Sequence, residues 1–413
     1  MPGLYVHVPF CARACPYCDF DFEVGRRPDL AGFLAGLERE LDGRLAERAG
    51  AVEAAGPRRL PVLTGPEGHV QADMSEGTGP TRAAIPPGEA WPTVYLGGGT
   101  PSLLGAEGLR ALGAWIAGRF PGAGADEYTV EVNPEHADPA LYAAVRAIGG
   151  TRVSLGVQTF DAAGLRDLGR AHSPEQARAA VLAARAAGLA VSVDLIVGYP
   201  DQSAAGLAAD LAAVIALGCE HVSIYALTVE AGTPWEALVR RGKRALPDPD
   251  HQADMLLATE ATLVAAGREH YEVASYAAPG HKARHNLGYW TWRDYLGLGP
   301  SAHSAVYAAD GALVRRGNRR GLAAWLADPA GPGELDVQDP LAAACEGLWT
   351  GIRHLPGLVV DDFLRRFPAV DRGWIEARTR RQIGLGNLVL TDTLRVAPGR
   401  WMWHDAIAAD LLG

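Results

Sequence analysis

Cys11, Cys15 and Cys18 stand in the run CARACPYC, a C-x3-C-x2-C spacing that follows the apolar segment LYVHVPF. Three thiolates this close can each take one iron of a [4Fe–4S] cube, since such clusters are held by Cys thiolates. No fourth Cys completes the motif, so one iron keeps an open position. An open iron on a low-potential cluster can chelate the amino and carboxylate groups of S-adenosylmethionine (SAM) and cleave its sulfonium with one electron. Two other readings stand beside this one. The odd count of five Cys and the lack of a secretory signal argue against a disulfide framework. A zinc site with His7 as fourth ligand stays open, although such sites usually draw on two separated knuckles. Cys219 and Cys345 lie in Ala-rich apolar contexts and read as core residues.

Further polar candidates follow other apolar runs. Gly97-Gly98-Gly99-Thr100-Pro101 comes after TVYLGG; glycines let a backbone approach a ligand closely, which suits the methionine end of SAM, and a tight turn explains the same run. Glu131 in EVNP can accept hydrogen bonds from a ribose or an ammonium, or cap a helix. Gln158, Arg170 and Asp194 are the next polar groups near strand ends. Arg170 can pair with a carboxylate, and Asp194, alone within VSVDLIVG, needs a partner or a ligand. Phe10, Tyr17 and Phe20 are expected to shield a cluster. A second constellation is His285-Asn286-Leu287-Gly288-Tyr289-Trp290, flanked by Lys282, Arg284 and Arg293. Imidazole ligates heme iron, aromatics suit a flat macrocycle, and basic residues suit propionates. On chemistry alone, a packed His beside two core aromatics is the simpler reading. His303 in GPSAHS is a second histidine of the same kind. The arginines between Arg365 and Arg381 read as a solvated helix face.

The elements that must position these residues are short β-like runs alternating with amphipathic stretches. LYVHVPF, TVYLGG, EYTVEV, TRVSLGV, LAVSVDLIVG and HVSIYAL are separated by helical patterns at 29–48, 104–118, 138–149, 174–187 and 201–217. Such alternation predicts βαβ units and a parallel sheet; six of them predict an α/β fold, a partial (βα)6 barrel. Right-handed crossovers bring all strand C-terminal ends to one rim, where barrels place their chemistry. The Cys run, GGGTP, EVNP, VQTF and VGYP all fall there. Residues 50–92, rich in Gly, Pro and Ala, read as an insertion between the first helix and the second strand. Beyond residue 230, where eight of the ten Trp lie, the character changes. LVLTDTLRVAPGRW predicts a hairpin turning at Pro398-Gly399. The predicted division is a barrel with its His285 extension over 1–310 and a smaller helical, winged-helix-like domain over 311–413.

Composition sets the class. The chain has 413 residues, 48% hydrophobic and 21% charged, with a net charge of −10. That balance argues for a soluble globular protein and against a nucleic-acid partner. No apolar run is long enough to span a bilayer. The expected location is cytoplasmic, with peripheral membrane association and a homodimer both left open.

YVHVPFCARACPYCDF, YLGGGTPSLL, VEVNP, SLGVQTF, LGRAH, VDLIVGYPDQ and HVSIYALT occur in this order over nearly the whole chain outside 50–92. They resemble the oxygen-independent coproporphyrinogen III oxidase superfamily of radical SAM proteins. The oxidases carry a fourth Cys where this chain has Phe20, and an N-terminal extension before the motif strand. The HNxxYW pattern of His285 to Trp290 instead resembles the HemW-type heme-chaperone branch. The resemblance implies heme as cargo, heme-accepting respiratory proteins as partners, and a chaperone role in place of coproporphyrinogen decarboxylation, which is the alternative. It implies that Cys11, Cys15 and Cys18 hold the cluster. Tyr5, Tyr17, Gly98, Gly99, Thr100, Glu131, Gln158, Arg170, Asp194 and Ala226 would line SAM. His285, Asn286, Tyr289 and Trp290 would handle heme.

Overall fold

The computed structural model describes residues 2–25, 27–55 and 90–412, so most of the expected insertion lies outside the described residues. Six strands lie side by side in chain order, all parallel: β1 (Gly3–Val8), β2 (Thr93–Gly98), β3 (Glu127–Val132), β4 (Arg152–Gln158), β5 (Ala190–Val197) and β6 (His221–Ala226). The connections carry α1 (Leu30–Ala55), α2 (Gly105–Arg119), α3 (Pro139–Ala147), α4 (Ala162–Asp167), α5 (Pro174–Ala186) and α6 (Ala204–Ala216). This is the expected partial (βα)6 arrangement; the short α4 escapes a periodicity reading. Four of these helices begin where the side chain of Asp138, Asp161, Ser173 or Ser203 accepts a backbone N–H of the first turn. Pro139 and Pro174 occupy the first helical positions, where no N–H is needed.

Each parallel strand has two unlike faces, because successive side chains point to opposite sides. Leu4, Val6, Val94, Leu96, Val130, Val153, Leu155, Val191, Val193 and Val222 are fully buried in one core. At about 1.5–3 kcal/mol for each fully buried side chain of this size, that layer is a main source of stability. The alternate positions are mostly polar: Tyr5 and His7, Tyr95, Thr129 and Glu131, Arg152 and Ser154, Ser192 and Asp194, His221 and Ser223. Register aligns them across the sheet, with Tyr5 opposite Tyr95, Tyr95 opposite Thr129, Thr129 opposite Arg152, and Ser192 opposite His221. They form the polar inside of the barrel.

The same sheet extends at both edges to twelve strands. After α7 (Pro234–Arg240) and α8 (Pro249–Ala265), β7 (Glu269–Glu272) and β8 (Ser275–Ala277) form a hairpin beside β6. After α9 (Arg284–Trp290), β9 (Tyr295–Leu298) pairs parallel to β1. Then β10 (His303–Tyr307), β11 (Leu313–Asn318) and β12 (Pro332–Gln338) continue antiparallel. Helix α10 (Leu322–Ala327) joins the last two. The buried Glu40 ties α1 to this extension: it accepts from Gly299 N at 2.8 Å, Asn318 Nδ2 at 2.7 Å and Trp325 Nε1 at 3.1 Å.

The predicted boundary at 310/311 falls inside this continuous sheet, because ladder hydrogen bonds hold β11 and β12 to β10. We propose a boundary near Pro340. From there run α11 (Pro340–Gly351), β13 (Leu358–Val359), α12 (Val360–Arg366), α13 (Arg372–Gly384), β14 (Leu388–Leu390), β15 (Thr393–Val396) and α14 (His404–Leu412). The order helix, strand, helix, helix, strand, strand is that of a winged helix. Its hairpin turns at Thr391-Asp392, since Leu388 pairs with Val396 and Leu390 with Leu394. Pro398-Gly399, the predicted turn, follows the second strand. Among the described residues no helix is long and apolar enough to cross a membrane.

Candidate functional site

The Cys loop leaves β1 at the C-terminal rim. Phe10–Cys11 pairs in parallel with Glu23–Val24, which closes the loop at its base. Cys18 N donates to Cys15 O at 3.2 Å, and Trp235 N donates to Pro16 O at 2.8 Å, fastening the turn to the start of α7. All three thiols are free and half-buried. They line a cavity of about 440 Å³ that runs from this rim down into the barrel. Cys11 Sγ lies 3.3 Å from Thr100 Oγ1, and Arg170 Nη1 lies 3.5 Å from Cys15 Sγ. Burial raises the Cys11 thiol and pushes Cys18 up to about 11.

Nine of the ten residues that the resemblance assigns to SAM line this cavity: Tyr17, Gly98, Gly99, Thr100, Glu131, Gln158, Arg170, Asp194 and Ala226. Tyr5 stands off it. Its hydroxyl bonds His7 Nδ1 at 3.1 Å, and the ring that faces the cavity is Tyr95 on the neighbouring strand. Gly98 has φ +104, and a Cβ there would meet the His7 ring at 2.6 Å, so only glycine fits. The Gly98 and Gly99 N–H groups are spent within the protein, on Glu131 Oε2 at 3.1 Å and Val8 O at 2.9 Å. Glu131 also accepts from Tyr95 Oη at 2.8 Å, so it is a wall residue and caps no helix. Burial, with Asp194 nearby, pushes Glu131 up to about 8. Burial likewise pushes Asp194 up to about 6, against hydrogen bonds from Ser154 and Ser223. Arg170 Nη2 donates to Asn133 Oδ1 at 2.7 Å and Gly156 O at 2.9 Å. Burial would raise Glu135, but His172 and Arg170 hold it down at about 2. Gln158 takes φ +68 where the β4–β5 register shifts, a strained conformation of the kind that collects at functional sites.

Two expectations about the loop change. Phe10 faces the core, 5.6 Å from the Phe33 ring, and does not line the cavity. Phe20 lines the mouth but is 64% exposed. A zinc site using His7 is not supported: His7 Nε2 is 2.9 Å from Asp21 O, and Nδ1 is held by Tyr5. Among the described residues no three His, Cys, Asp or Glu side chains converge as ligands of one ion would. A cube makes no such demand, since each thiolate binds a different iron. The donor set therefore fits a cluster that would be held by three thiolates beside a polar cavity.

The HNxxYW segment forms α9 and divides its residues between two environments. Asn286 lines the cavity, whereas His285 is buried below it. His285 Nδ1 lies 3.0 Å from Thr93 Oγ1 and Nε2 lies 2.8 Å from Tyr289 Oη. Both ring nitrogens of a neutral imidazole are thereby spent, and burial pushes its pKa down to about 3. Trp290 packs under Arg353, whose guanidinium sits 4.5 Å from the ring centroid. His285 is thus a strut, as residue chemistry alone suggested, and iron ligation by it does not fit this geometry. His285→Ala is expected to orphan the Thr93 and Tyr289 hydroxyls and to destabilise the apo protein by about 2–4 kcal/mol. Urea denaturation checks this, and an unchanged midpoint would contradict the strut role.

Sequence reading passed over Tyr95, Asn133, Arg152, Ser154, Ser192, His221 and Ser223, all of which line the cavity. For Arg152, Ser154, Ser192, His221 and Ser223 the available signal was the period-2 polar alternation in RVSLG, VSVD and HVSIY.

A parallel barrel with three thiols and a polar interior at its rim defines a radical SAM protein, and the Radical SAM superfamily sequence model matches residues 82–214. That superfamily implies a [4Fe–4S] cluster and SAM. Coproporphyrinogen III oxidase (HemN) from Escherichia coli, a Radical SAM enzyme, superposes with a TM-score of 0.76 over 99% of this chain and 90% of its own, at 20% identity. At that identity the likeness speaks for the fold alone. Heme chaperone HemW of Mycobacterium tuberculosis is 39% identical over 310 residues, 74% of this chain and 69% of the relative. Heme chaperone HemW of Escherichia coli is 33% identical over 316 residues, 76% of this chain and 72% of the relative. The chain belongs to the HemW family.

Proposed function

We propose that this chain binds heme and passes it to heme-requiring respiratory proteins, with a SAM-ligated [4Fe–4S] cluster as resident cofactor. The observation that carries the reading is identity to heme chaperones over most of the chain. Cys11, Cys15 and Cys18 hold the cluster, while Tyr17, Gly98, Gly99, Thr100, Glu131, Gln158, Arg170, Asp194 and Ala226 contact SAM. Bound together, cluster and SAM supply one-electron chemistry at a sulfonium. This chain's own residues position and shield them: Arg170 steadies Cys15, and Tyr17 and Phe22 line the wall. A reducing cytoplasm suits five free thiols.

Since His285 is spent, His303 is the iron ligand in this reading. It is exposed on β10, and Arg320 beside it donates to Asp19 O at 3.1 Å, which ties this edge to the Cys loop. Partial desolvation of its ring, with Arg315 and Arg320 nearby and opposed by Glu334, lowers the His303 pKa, which favours the neutral form that a metal ligand must take. Heme titration of anaerobically reconstituted protein tests this through the Soret band. Saturable, near-stoichiometric binding is expected, weakened about tenfold or more in His303→Ala and retained by folded His285→Ala. Equal binding by His303→Ala would move the ligand elsewhere. No specific binding by the wild type would sink the chaperone reading and favour coproporphyrinogen decarboxylation, which the HemN-like fold accommodates.

A further inference from the structure

Two of the three loop thiols meet a side-chain donor. Arg170 Nη1 lies 3.5 Å from Cys15 Sγ, and Thr100 Oγ1 lies 3.3 Å from Cys11 Sγ. The donors come from separate parts of the rim, Arg170 from the connection after β4 and Thr100 from that after β2. A single residue joins them. Asn133 Oδ1 accepts from Arg170 Nη2 at 2.7 Å, and Asn133 Nδ2 donates to Thr100 Oγ1 at 3.4 Å. Chemistry fixes the orientation of this carboxamide. A guanidinium has donors and no acceptor, so the oxygen of Asn133 must face Arg170, which turns the NH2 group to Thr100. A threonine oxygen that accepts this N–H keeps its own hydrogen for another partner, and Cys11 Sγ stands within reach. Arg170 is aimed in a similar manner: Asn133 and Gly156 O, the latter at 2.9 Å, hold Nη2 and leave Nη1 on the Cys15 side.

Asn133 is itself held in place. It follows β3 in the EVNP run, where its backbone N–H donates to Ser102 Oγ at 3.1 Å and its C=O accepts from His136 N at 2.9 Å. Pro134 opens the short turn that comes next. Gly156 faces the carboxamide, and a Cβ there would come to 3.3 Å from both Asn133 Oδ1 and Arg170 Nη2. These contacts set the position of Asn133 without involving the thiols.

Hydrogen bonds to the sulfurs are one of the levers that set a cluster's reduction potential. An added electron makes thiolate sulfur a better acceptor, so such bonds favour the reduced state, and bonds from a cation are the strong ones. On the reading that the three thiols hold a cluster, we propose that Asn133 is a positioning residue that raises the cluster's reduction potential by aiming Arg170 at Cys15 and Thr100 at Cys11. It acts through those two side chains, and one carboxamide thereby couples two of the three ligands.

The test uses anaerobically reconstituted full-length protein without SAM, titrated potentiometrically while the reduced cluster is counted by its EPR signal. Iron and acid-labile sulfide are measured on each sample. Asn133→Ala is expected to keep its cluster content and to shift the midpoint to a more negative potential. Losing the aim of a charged donor changes the reduction equilibrium about tenfold, which is about 59 mV for one electron. Thr100→Val, which removes the hydroxyl and keeps the shape, is expected to shift the midpoint in the same direction by less, since that donor is neutral. In the Thr100→Val background, Asn133→Ala is expected to have a smaller effect than in the wild type, because part of its route is already gone. An unchanged midpoint in cluster-replete Asn133→Ala would overturn the positioning role, as would full additivity of the two substitutions. If Asn133→Ala holds no cluster, Thr100→Val decides: a more negative midpoint supports the role, and an unchanged one removes a donor that Asn133 aims. A wild type without cluster would instead sink the assignment of the three thiols, a failure visible in the iron count before any potential is read.

Discussion

Replacing Cys11, Cys15 or Cys18 singly with alanine is expected to abolish assembly of the [4Fe–4S] cluster, taking bound iron and acid-labile sulfide to background after anaerobic reconstitution. In the proposed assignment each thiolate would hold a different iron, and among the described residues no Cys, His or carboxylate set stands ready to substitute. The same variants leave the apo fold nearly unchanged. The thiols are half-buried, and the loop is fastened by backbone contacts independent of them, such as Trp235 N to Pro16 O. A stability change within about 1 kcal/mol is therefore expected, as for substitutions outside the core. Cys219→Ala and Cys345→Ala serve as controls. Cys219 packs in the main core and Cys345 lies beside Arg378 in the C-terminal unit, so both variants keep full cluster content. Iron retained by any of the three loop variants, or lost from either control, would refute the assignment.

The second large effect belongs to Glu131. Burial, reinforced by Asp194 and opposed by Tyr95 and Gly98, places its folded pKa at about 8. An unfolded Glu titrates near 4.3. The unfolded chain therefore releases this proton first, and between these values the native state holds a proton that the unfolded state lacks. Stability then falls as pH rises through that window. The ceiling is about 5 kcal/mol at roughly 1.4 kcal/mol per pKa unit, and Asp194, at about 6, acts in the same direction. Glu131→Gln keeps the acceptor for Tyr95 and removes the titration. The apo variant is expected to match wild type near pH 5 and to exceed it by a few kcal/mol near pH 8. Parallel denaturation curves for the two proteins across this range would show that Glu131 is ionised in the native cavity.

The cluster motif and the barrel strands were legible for the same reason: both are local. Cys11, Cys15 and Cys18 lie within one turn of chain, so their spacing nearly defines their geometry. The strands announce themselves by period and by turn residues at their ends. The hairpin shows where local signals mislead. Gly399 does take φ +73, as a turn glycine would, yet the strands are pinned by Leu388 opposite Val396, and the chain reverses earlier. Tyr5 and Tyr95 show a second limit. They occupy paired positions on adjacent strands, and only the curvature of the sheet decides which ring meets the cavity.

By itself, then, the sequence determined the C-x3-C-x2-C spacing, the parallel (βα)6 order and the convergence of the strand-end motifs on one rim. These rest on periodicity and short-range spacing, which act through a few consecutive residues. The tertiary structure alone decided that His285 spends both nitrogens on Thr93 and Tyr289, that β11 and β12 belong to the main sheet, and that Thr129, Arg152 and Asn286 line one cavity. Those outcomes depend on which side chains are desolvated together. Burial sets that by joining strands and a helix far apart in the chain, and no local pattern encodes it.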